Sequence, residues 1–415
     1  METYDTIVVG AGAAGLMAAI TSAQHNKRVL LLEQLPTIGA KLKATGGGRC
    51  NLSNTLENSE FMKRFGKNGR FMTQALDALN HKDLINFFKN IGVETHIPDG
   101  FRIFPTTHNS STILNALTKR LQELHVELLC STKVQELLVK DNHIVGTKTD
   151  KESFQSLHVI VATGGLGYPI LGASGDGYEF ATSIGHSVTE LYPAMMPLIT
   201  KERAFSTCKA HTIPSATIKV NIPKYKKLKA TGDLIFTSNG IRGPVVLDFS
   251  RELTPLLKKF KEVPILINMT KGLNEDEILK MFKSSEAPNV IEQLSSILPS
   301  SISHAICTLS EADPTLKFNK QNGKVRDSLV KNIAWTPLHV VSHDGFKKAM
   351  ITRGGISLKE IDPNTMQSKI VKGLYFCGEI IDIDGPCGGY NLQWSFSSGY
   401  LAGTSTCKVS KENLK

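Results

Sequence analysis

Apolar and polar residues follow one another along this 415-residue chain in blocks whose lengths predict an α/β protein. Asp5–Val9 (DTIVV) is a short, nearly unbroken apolar run, the pattern of a strand buried on both faces. A glycine-rich turn follows it, and then Leu16–Ala23, a stretch of helix formers. Arg28–Leu32 (RVLLL) and His158–Val161 repeat the buried-strand pattern. Lys133–Leu138 and His143–Lys148 instead alternate apolar with polar positions, which predicts a small antiparallel meander. Near the C-terminus, Gly373–Cys377 reads as a strand and Gln393–Thr404 as a helix. From Tyr192 to Asn268 the chain carries short strand-like runs (ATIKVNI, DLIFT, PVVLDF, VPILINM) separated by Gly and Pro. From Asn274 to Lys331 the apolar spacing changes to three and four residues, the helical period.

Composition narrows the class. A chain this long needs more than one core, and 41% hydrophobic with 21% charged residues is the mixture of a globular protein. No stretch approaches the roughly 20 apolar residues that span a bilayer. The apolar opening Ile7–Ile20 is preceded by Glu2 and Asp5 and broken by glycines, so it is not read as a signal peptide, and the expected location is the cytoplasm. Seven cysteines, without any Cys-x-x-Cys pair, argue against a disulfide scaffold, structural zinc and a redox dithiol. The net charge of +10 includes two lysine runs, Lys224, Lys226, Lys227 and Lys229, then Lys258, Lys259 and Lys261. They read as solvated surface; the basic residues are scattered along the sequence, without an aromatic-interleaved stripe, so a nucleic-acid partner is disfavoured.

The turn after the first strand, Gly10-Ala11-Gly12-Ala13-Ala14-Gly15, is G-x-G-x-x-G between strand and helix. Gly10 permits the tight turn, Gly12 admits a pyrophosphate close to the backbone, and Gly15 lets helix and strand pack closely. The first helical amides, at Ala13 and Ala14, then face the phosphates. Glu33 ends the second strand, placed to accept from both ribose hydroxyls and to disfavour a 2′-phosphate. A second region is Gly39–Asn51, in which Lys41 and Arg49 supply positive charge and Thr45, Gly46, Gly47, Cys50 and Asn51 shape a loop around an anion or flat ring. A third is Ala162-Thr163-Gly164-Gly165, opening from a buried strand. Val134, on the first meander strand, is nominated for the adenine. The fourth is Gly378-Glu379 and Gly389-Tyr390-Asn391-Leu392, where an acid after a strand suits a ribityl hydroxyl and a second helix N-terminus suits a reduced flavin. NAD needs no such distant second half. The longer FAD does, and non-covalent FAD is the expected cofactor.

With those segments in place the chain resembles the BaiN-like, aminoacetone-oxidase-type family of FAD-binding proteins. The stretches that carry the resemblance are GAGAAGLMAA, GAKLKATGGGRCNLSN, FRIFP, ATGGLGYPILGASGDGYEFA, MITRGGIS and GLYFCGEIIDIDGPCGGYNLQWSFSSGYLAG, in order over nearly the whole chain. The resemblance implies a discontinuous Rossmann-type FAD-binding domain (residues 1–191 and 345–415), an inserted β-barrel-like domain (192–272 and 332–344) and a small helical insertion (273–331). It also implies an FAD-dependent oxidoreductase acting on a small organic substrate. The chemistry it implies is oxidation of a small amine or reduction of a carbon–carbon double bond, with NAD(P)H as a transient reductant at the flavin face. One segment departs from the family pattern: in Phe236–Pro244, Arg242 stands where a small residue is expected, and Ser238 marks where a histidine is frequent.

Catalytic side chains are less legible. Arg353, beside Gly354-Gly355, suits an anionic substrate group or charge on the flavin, and a surface ion pair equally well; Tyr168 is a proton donor or a packing residue against Pro169. Cys50 has no base partner in the pattern and reads as packing near the cofactor. His339 and His343 lie in a strand-and-turn context without a third ligand, and no metal is expected. Two other classes compete: a flavin-binding scaffold without redox turnover, and an RNA-modification flavoprotein.

Overall fold

The computed structural model describes residues 3–208 and 211–407; Glu2 and the segment after Cys407 lie outside the described residues. Residue contacts divide the chain into two units, one taking in the chain up to Leu191 and from Ile351 onward, the other running Tyr192–Met350.

The first unit is built on a seven-stranded sheet. Thr3–Val9 lies between Val29–Leu32 and Ser153–Val161, parallel to both, and Glu127–Leu129 adds parallel to the outer side of Val29–Leu32. Ser153–Val161 is shared. Its first half pairs antiparallel with the meander strand His143–Thr149, its last residues pair parallel with Leu374–Phe376, and Val134–Lys140 completes the meander. Ile7, Val8, Leu30, Leu31, Val159 and Ile160 are all fully buried, which is why these runs show no polar alternation in sequence. The helix Ala13–Ala23 crosses over this sheet, burying Leu16, Met17 and Ile20; such side chains contribute about 1.5–3 kcal/mol each. The long helix Tyr390–Ser405 packs on it so closely that a Cβ on Gly399 would stand 2.3 Å from the Ala14 carbonyl oxygen. A three-stranded sheet of Ser53–Asn54, Arg102–Pro105 and Thr95–His96 completes the unit.

In the second unit, six strands close a barrel in the order Leu198–Thr200, Gly240–Arg242, Lys229–Phe236, Thr212–Val220, Val263–Asn268 and Thr336–His343. The helices between Glu275 and Ala334 share one apolar core with these strands. The run PVVLDF, read as a strand, is instead the first turns of a helix, Pro244–Phe260. Gly243, at φ 108, ends the preceding strand, and Pro244 is preset for the first helical position. Val245, Val246, Phe249, Leu253, Leu256 and Leu257 then bury at helical spacing. The β-branched pair at the start imitates a strand only within a short window. Among the described residues no helix is long and apolar enough to cross a membrane.

Candidate functional site

The site lies at the carboxyl ends of the parallel strands of the first unit. Gly10 turns the chain at φ 98 and donates its amide to the Leu32 carbonyl. A Cβ on Gly15 would sit 1.8 Å from the Gly10 carbonyl oxygen, whereas one on Gly12 would meet nothing within 4 Å. Glycine at 15 therefore serves packing, and glycine at 12 keeps open a space that the protein itself does not fill. No side chain caps the helix that begins at Ala13, so its first amides face that space without a side-chain acceptor.

Glu33 is buried at the end of its strand, its carboxylate accepting from the amides of Ala11 at 2.8 Å and Leu35 at 2.9 Å. Each oxygen keeps a further lone pair, enough for two ribose hydroxyls. The Thr132 amide donates to the Glu33 carbonyl, and Val134 follows two residues later as a buried residue at the start of the meander.

Across the strand ends, Ala162 accepts the close approach of Gly10, and the Thr163 hydroxyl is buried without a hydrogen-bond partner. Gly164, at φ 74, again has open space where a side chain would stand. Gly378 donates to the Ser398 hydroxyl and accepts from the Trp394 indole, fixing the turn that carries Glu379. One Glu379 oxygen accepts from the Thr352 amide at 2.8 Å, and the other lies 2.7 Å from the Lys41 ammonium. Lys41, expected to face phosphate, thus has a carboxylate as its immediate partner. A side chain at Gly165 would collide with Glu379 and with the Thr352 hydroxyl.

The loop Gly39–Asn51 forms a short helix, Ala40–Ala44, then a turn in which Gly46, Gly47 and Gly48 all take positive φ. Thr45 bonds back to the Leu42 carbonyl. Arg49 is exposed; it donates to the Gly46 carbonyl and lies over the Phe104 ring, 5.6 Å from its centroid. Cys50 is fully buried, and burial pushes its thiol up to about 12, so it is a packing group and no thiolate. Asn51, with its amide oriented to satisfy its neighbours, donates to the Ser53 carbonyl and accepts from the Gly389 amide at 3.0 Å. Gly389 caps the long C-terminal helix at φ 85, where a Cβ would stand 2.4 Å from the Ser53 backbone. Asn391 makes a two-way bond with the Gly385 backbone, and Leu392 is half-buried beside it.

Direct contacts thus join Gly10 with Gly15 and Ala162, Lys41 with Glu379, and Asn51 with Gly389, linking residues from four sequence segments. Arg49 and Val134 are tied to their own neighbours. Of the weaker candidates, Tyr168 is half-buried at φ 58, and Arg353 ends the Ile351–Arg353 strand within the electrostatic reach of Asp382. Burial, and then neighbouring Asp384, raises the Asp382 carboxyl above the ordinary range. Tyr178 is buried with its phenol pushed far up, first by burial and then by Glu379 and Asp382. Thr352, Tyr178 and Asp382 lie in the stretches that carry the family resemblance but are not named there as site residues; Thr352 and Tyr178 reach Glu379 only through the fold, whereas Asp382 follows it by three residues.

An unfilled space at Gly12, an uncapped helix start, spare lone pairs on Glu33 and an orphaned Thr163 hydroxyl fit a dinucleotide with its ribose at Glu33 and its pyrophosphate at the turn.

A profile of the HI0933-like protein Rossmann domain matches residues 4–405. The chain is 29% identical over 407 residues to the 3-dehydro-bile acid delta(4,6)-reductase of Clostridium scindens, covering 97% of this chain and 98% of that one. It is 26% identical over 406 residues to the ribosomal RNA dihydrouridine synthase of Escherichia coli, covering 96% and 97%. Among solved structures, the 3-ketosteroid delta1-dehydrogenase of Sterolibacterium denitrificans matches 98% of this chain and all of its own at a TM-score of 0.55 and 12% identity. A flavocytochrome c3 fumarate reductase matches 98% of this chain and 78% of its own at 0.52 and 19% identity. These two likenesses speak for the fold. The chain belongs to the HI0933-like family of FAD-binding Rossmann proteins, and it is an FAD-dependent oxidoreductase.

Proposed function

We propose that this protein reduces a carbon–carbon double bond conjugated with a carbonyl group, drawing its electrons from a pyridine nucleotide. The observation that carries this reading is the end-to-end match to the Clostridium scindens reductase, which leaves no long part of that relative without a counterpart here. The Escherichia coli relative is named for making dihydrouridine, the saturated form of a base whose double bond is also conjugated with a carbonyl. Two relatives with different substrates therefore share one kind of bond, and that bond class is what we carry over.

In this reading Gly10, Gly12, Ala13, Ala14 and Gly15 hold the pyrophosphate, Glu33 the ribose, and Thr163, Glu379 and Lys41 the ribityl side of the cofactor. Bound FAD supplies the hydride chemistry. The chain's own side chains supply orientation and a proton. Asp382, whose carboxyl is raised by burial and by Asp384, is the side chain we nominate to deliver that proton.

The test is anaerobic. Holoprotein is bleached with NADH or NADPH and then mixed separately with a 3-oxo-Δ4 bile acid, with fumarate and with uridine-containing RNA. Return of the oxidised flavin bands, together with a product heavier by two hydrogens, is the expected result for one of the three. A flavin that is bleached by small amines instead, and left reduced by every double-bond substrate, would replace the reductase with an amine oxidase.

A further inference from the structure

The two lysine runs lie in the second unit, and the fold brings them together. Lys224, Lys226, Lys227 and Lys229 occupy the connection and strand start between Thr212–Val220 and Lys229–Phe236. Lys259 and Lys261 come from the end of the Pro244–Phe260 helix and the residue after it. One lysine from each run, Lys224 and Lys259, meets Tyr225. The Lys259 ammonium is 3.5 Å from its hydroxyl and 6.0 Å from its ring centroid, and Lys224 lies 6.0 Å from the same centroid. Phe260 meets Tyr225 edge-on, with ring centroids 6.0 Å apart, and is itself 39% exposed.

On the barrel wall Lys219 is the direct cross-strand neighbour of Lys229. Like charges placed directly opposite are destabilising unless something neutralises them. The Trp335 ring, 3.4 Å from the Lys219 ammonium, offers partial relief. Burial, followed by the charges of Lys226 and Lys229, still holds Lys219 below its ordinary range. From Lys219 to Thr231 the sequence has no acidic residue. Among the described residues, none of Lys219, Lys224, Lys226, Lys227, Lys229, Lys259 and Lys261 is in an ion pair. Glu262, next in sequence to Lys261, is turned to Lys201 and His339. A purely solvated surface has no reason to gather like charges from two distant segments around a half-buried tyrosine and an exposed phenylalanine.

We propose that this lysine face, centred on Tyr225 and Phe260, binds single-stranded RNA. The lysines match the phosphate backbone, and the two rings flanked by cations are a stacking platform for bases. An anionic membrane surface matches the charge equally well, but it calls for several projecting apolar side chains, and Phe260 is the one large apolar side chain exposed here. The inference rests on residues of the second unit and holds whichever double bond is reduced.

The test uses the full-length holoprotein and a fluorescein-labelled oligouridylate, with fluorescence anisotropy measured across a series of salt concentrations. The affinity is expected to fall steeply with salt. The variant with Lys226→Glu, Lys227→Glu and Lys229→Glu should bind at least about 10-fold more weakly at low salt. Its log–log salt slope should be smaller by about 2, since each phosphate contact on a single strand contributes about 0.7. Phe260→Ala should weaken binding several-fold with the slope unchanged. A control reversal of Lys280 and Lys283, on the Glu275–Ser284 helix, should leave both quantities near wild type. FAD content and melting temperature establish that each variant is folded. An unchanged slope in the triple variant overturns the proposal. So does an equal loss in the control, or binding to anionic phosphatidylglycerol vesicles with none to the oligonucleotide.

Discussion

The Lys41 ammonium stands 2.7 Å from the Glu379 carboxylate, although 338 positions of sequence separate them. Because Glu379 also accepts from the Thr352 amide, one carboxylate ties together the glycine-rich loop, the Ile351–Arg353 strand and the turn after Leu374–Phe376. The side chains are 29% and 17% exposed, so solvent screens the pair only in part. Lys41→Met should lower the unfolding free energy by about 1–2 kcal/mol, the range for a hydrogen bond to a charged group after discounting for exposure. In a double-mutant cycle with Glu379→Gln, the two losses should fall short of additivity by about 1 kcal/mol. Urea unfolding of the four proteins, each stripped of FAD, measures this, and strictly additive losses would mean that the contact carries no coupling.

Glu33 has two tasks, and substitution should separate them. Its carboxylate holds the amides of Ala11 and Leu35, and in the proposed site it also receives the ribose. Glu33→Ala should weaken FAD binding by about 1.5–3 kcal/mol, which is about a 10- to 150-fold rise in dissociation constant. Glu33→Gln keeps one good acceptor and should lose less. Titration of apoprotein with FAD, followed by flavin fluorescence, reads both. An unchanged affinity in Glu33→Ala would remove Glu33 from the ribose site.

Gly12 and Gly15 belong to the same motif but should fail in different ways. A methyl at Gly15 would lie 1.8 Å from backbone at Gly10, so Gly15→Ala must push strand and helix apart. The expected cost is about 1–3 kcal/mol or more of stability, even without cofactor. A methyl at Gly12 meets no protein atom within 4 Å, and the φ of −82° there is ordinary for alanine. Gly12→Ala should therefore melt like wild type as apoprotein and yet lose most of its FAD affinity, because the methyl enters the space we propose for phosphate. Melting curves with and without added FAD distinguish the two; a Gly12→Ala protein that binds FAD normally would place the pyrophosphate elsewhere.

The parts of this protein that could be read from sequence are those in which chemistry and backbone are local. The buried strands, the turn at Gly10–Gly15 and Glu33 at the next strand end are each written within a few residues, because a tight turn or a two-face-buried strand restricts every position in it. The helix Pro244–Phe260 was misread because Val245 and Val246 suit a strand over a short window, and only the later spacing of Phe249, Leu253, Leu256 and Leu257 reveals the helix. The Lys41–Glu379 pair had no sequence signal, since nothing local encodes a contact between distant segments. The lysine runs looked scattered for the same reason: Lys219 and Lys229 become neighbours only through the register of two barrel strands.

Two buried histidines of the first unit, His81 and His186, and the half-buried His158 give its stability a defined dependence on pH. His81, His158 and His186 are all held below the ordinary value of 6.5, in each case chiefly by burial. His186 bonds to the Ser368 hydroxyl through Nε2 at 2.8 Å and faces Glu360 through Nδ1, yet desolvation still outweighs that carboxylate. A histidine whose folded value is depressed binds its proton more readily when the chain is unfolded. Its contribution is therefore fully present above about pH 6.5 and is lost as the pH falls below that toward the folded value. Each such group adds a slope of at most about 1.4 kcal/mol per pH unit in that window. Asp382, raised by burial, titrates with the opposite sign, so the total slope is a balance and a difference measurement is the sharper one. His158→Gln isolates one group, because the His158 Nδ1 is buried without a hydrogen-bond partner and its ring is not placed in the cofactor site. Between pH 7 and pH 5 the unfolding free energy of wild type should fall more steeply than that of His158→Gln, by up to about 1 kcal/mol per unit. Urea melts at several pH values read the two slopes, and parallel slopes would mean that His158 carries its proton in the folded protein as easily as in the unfolded one.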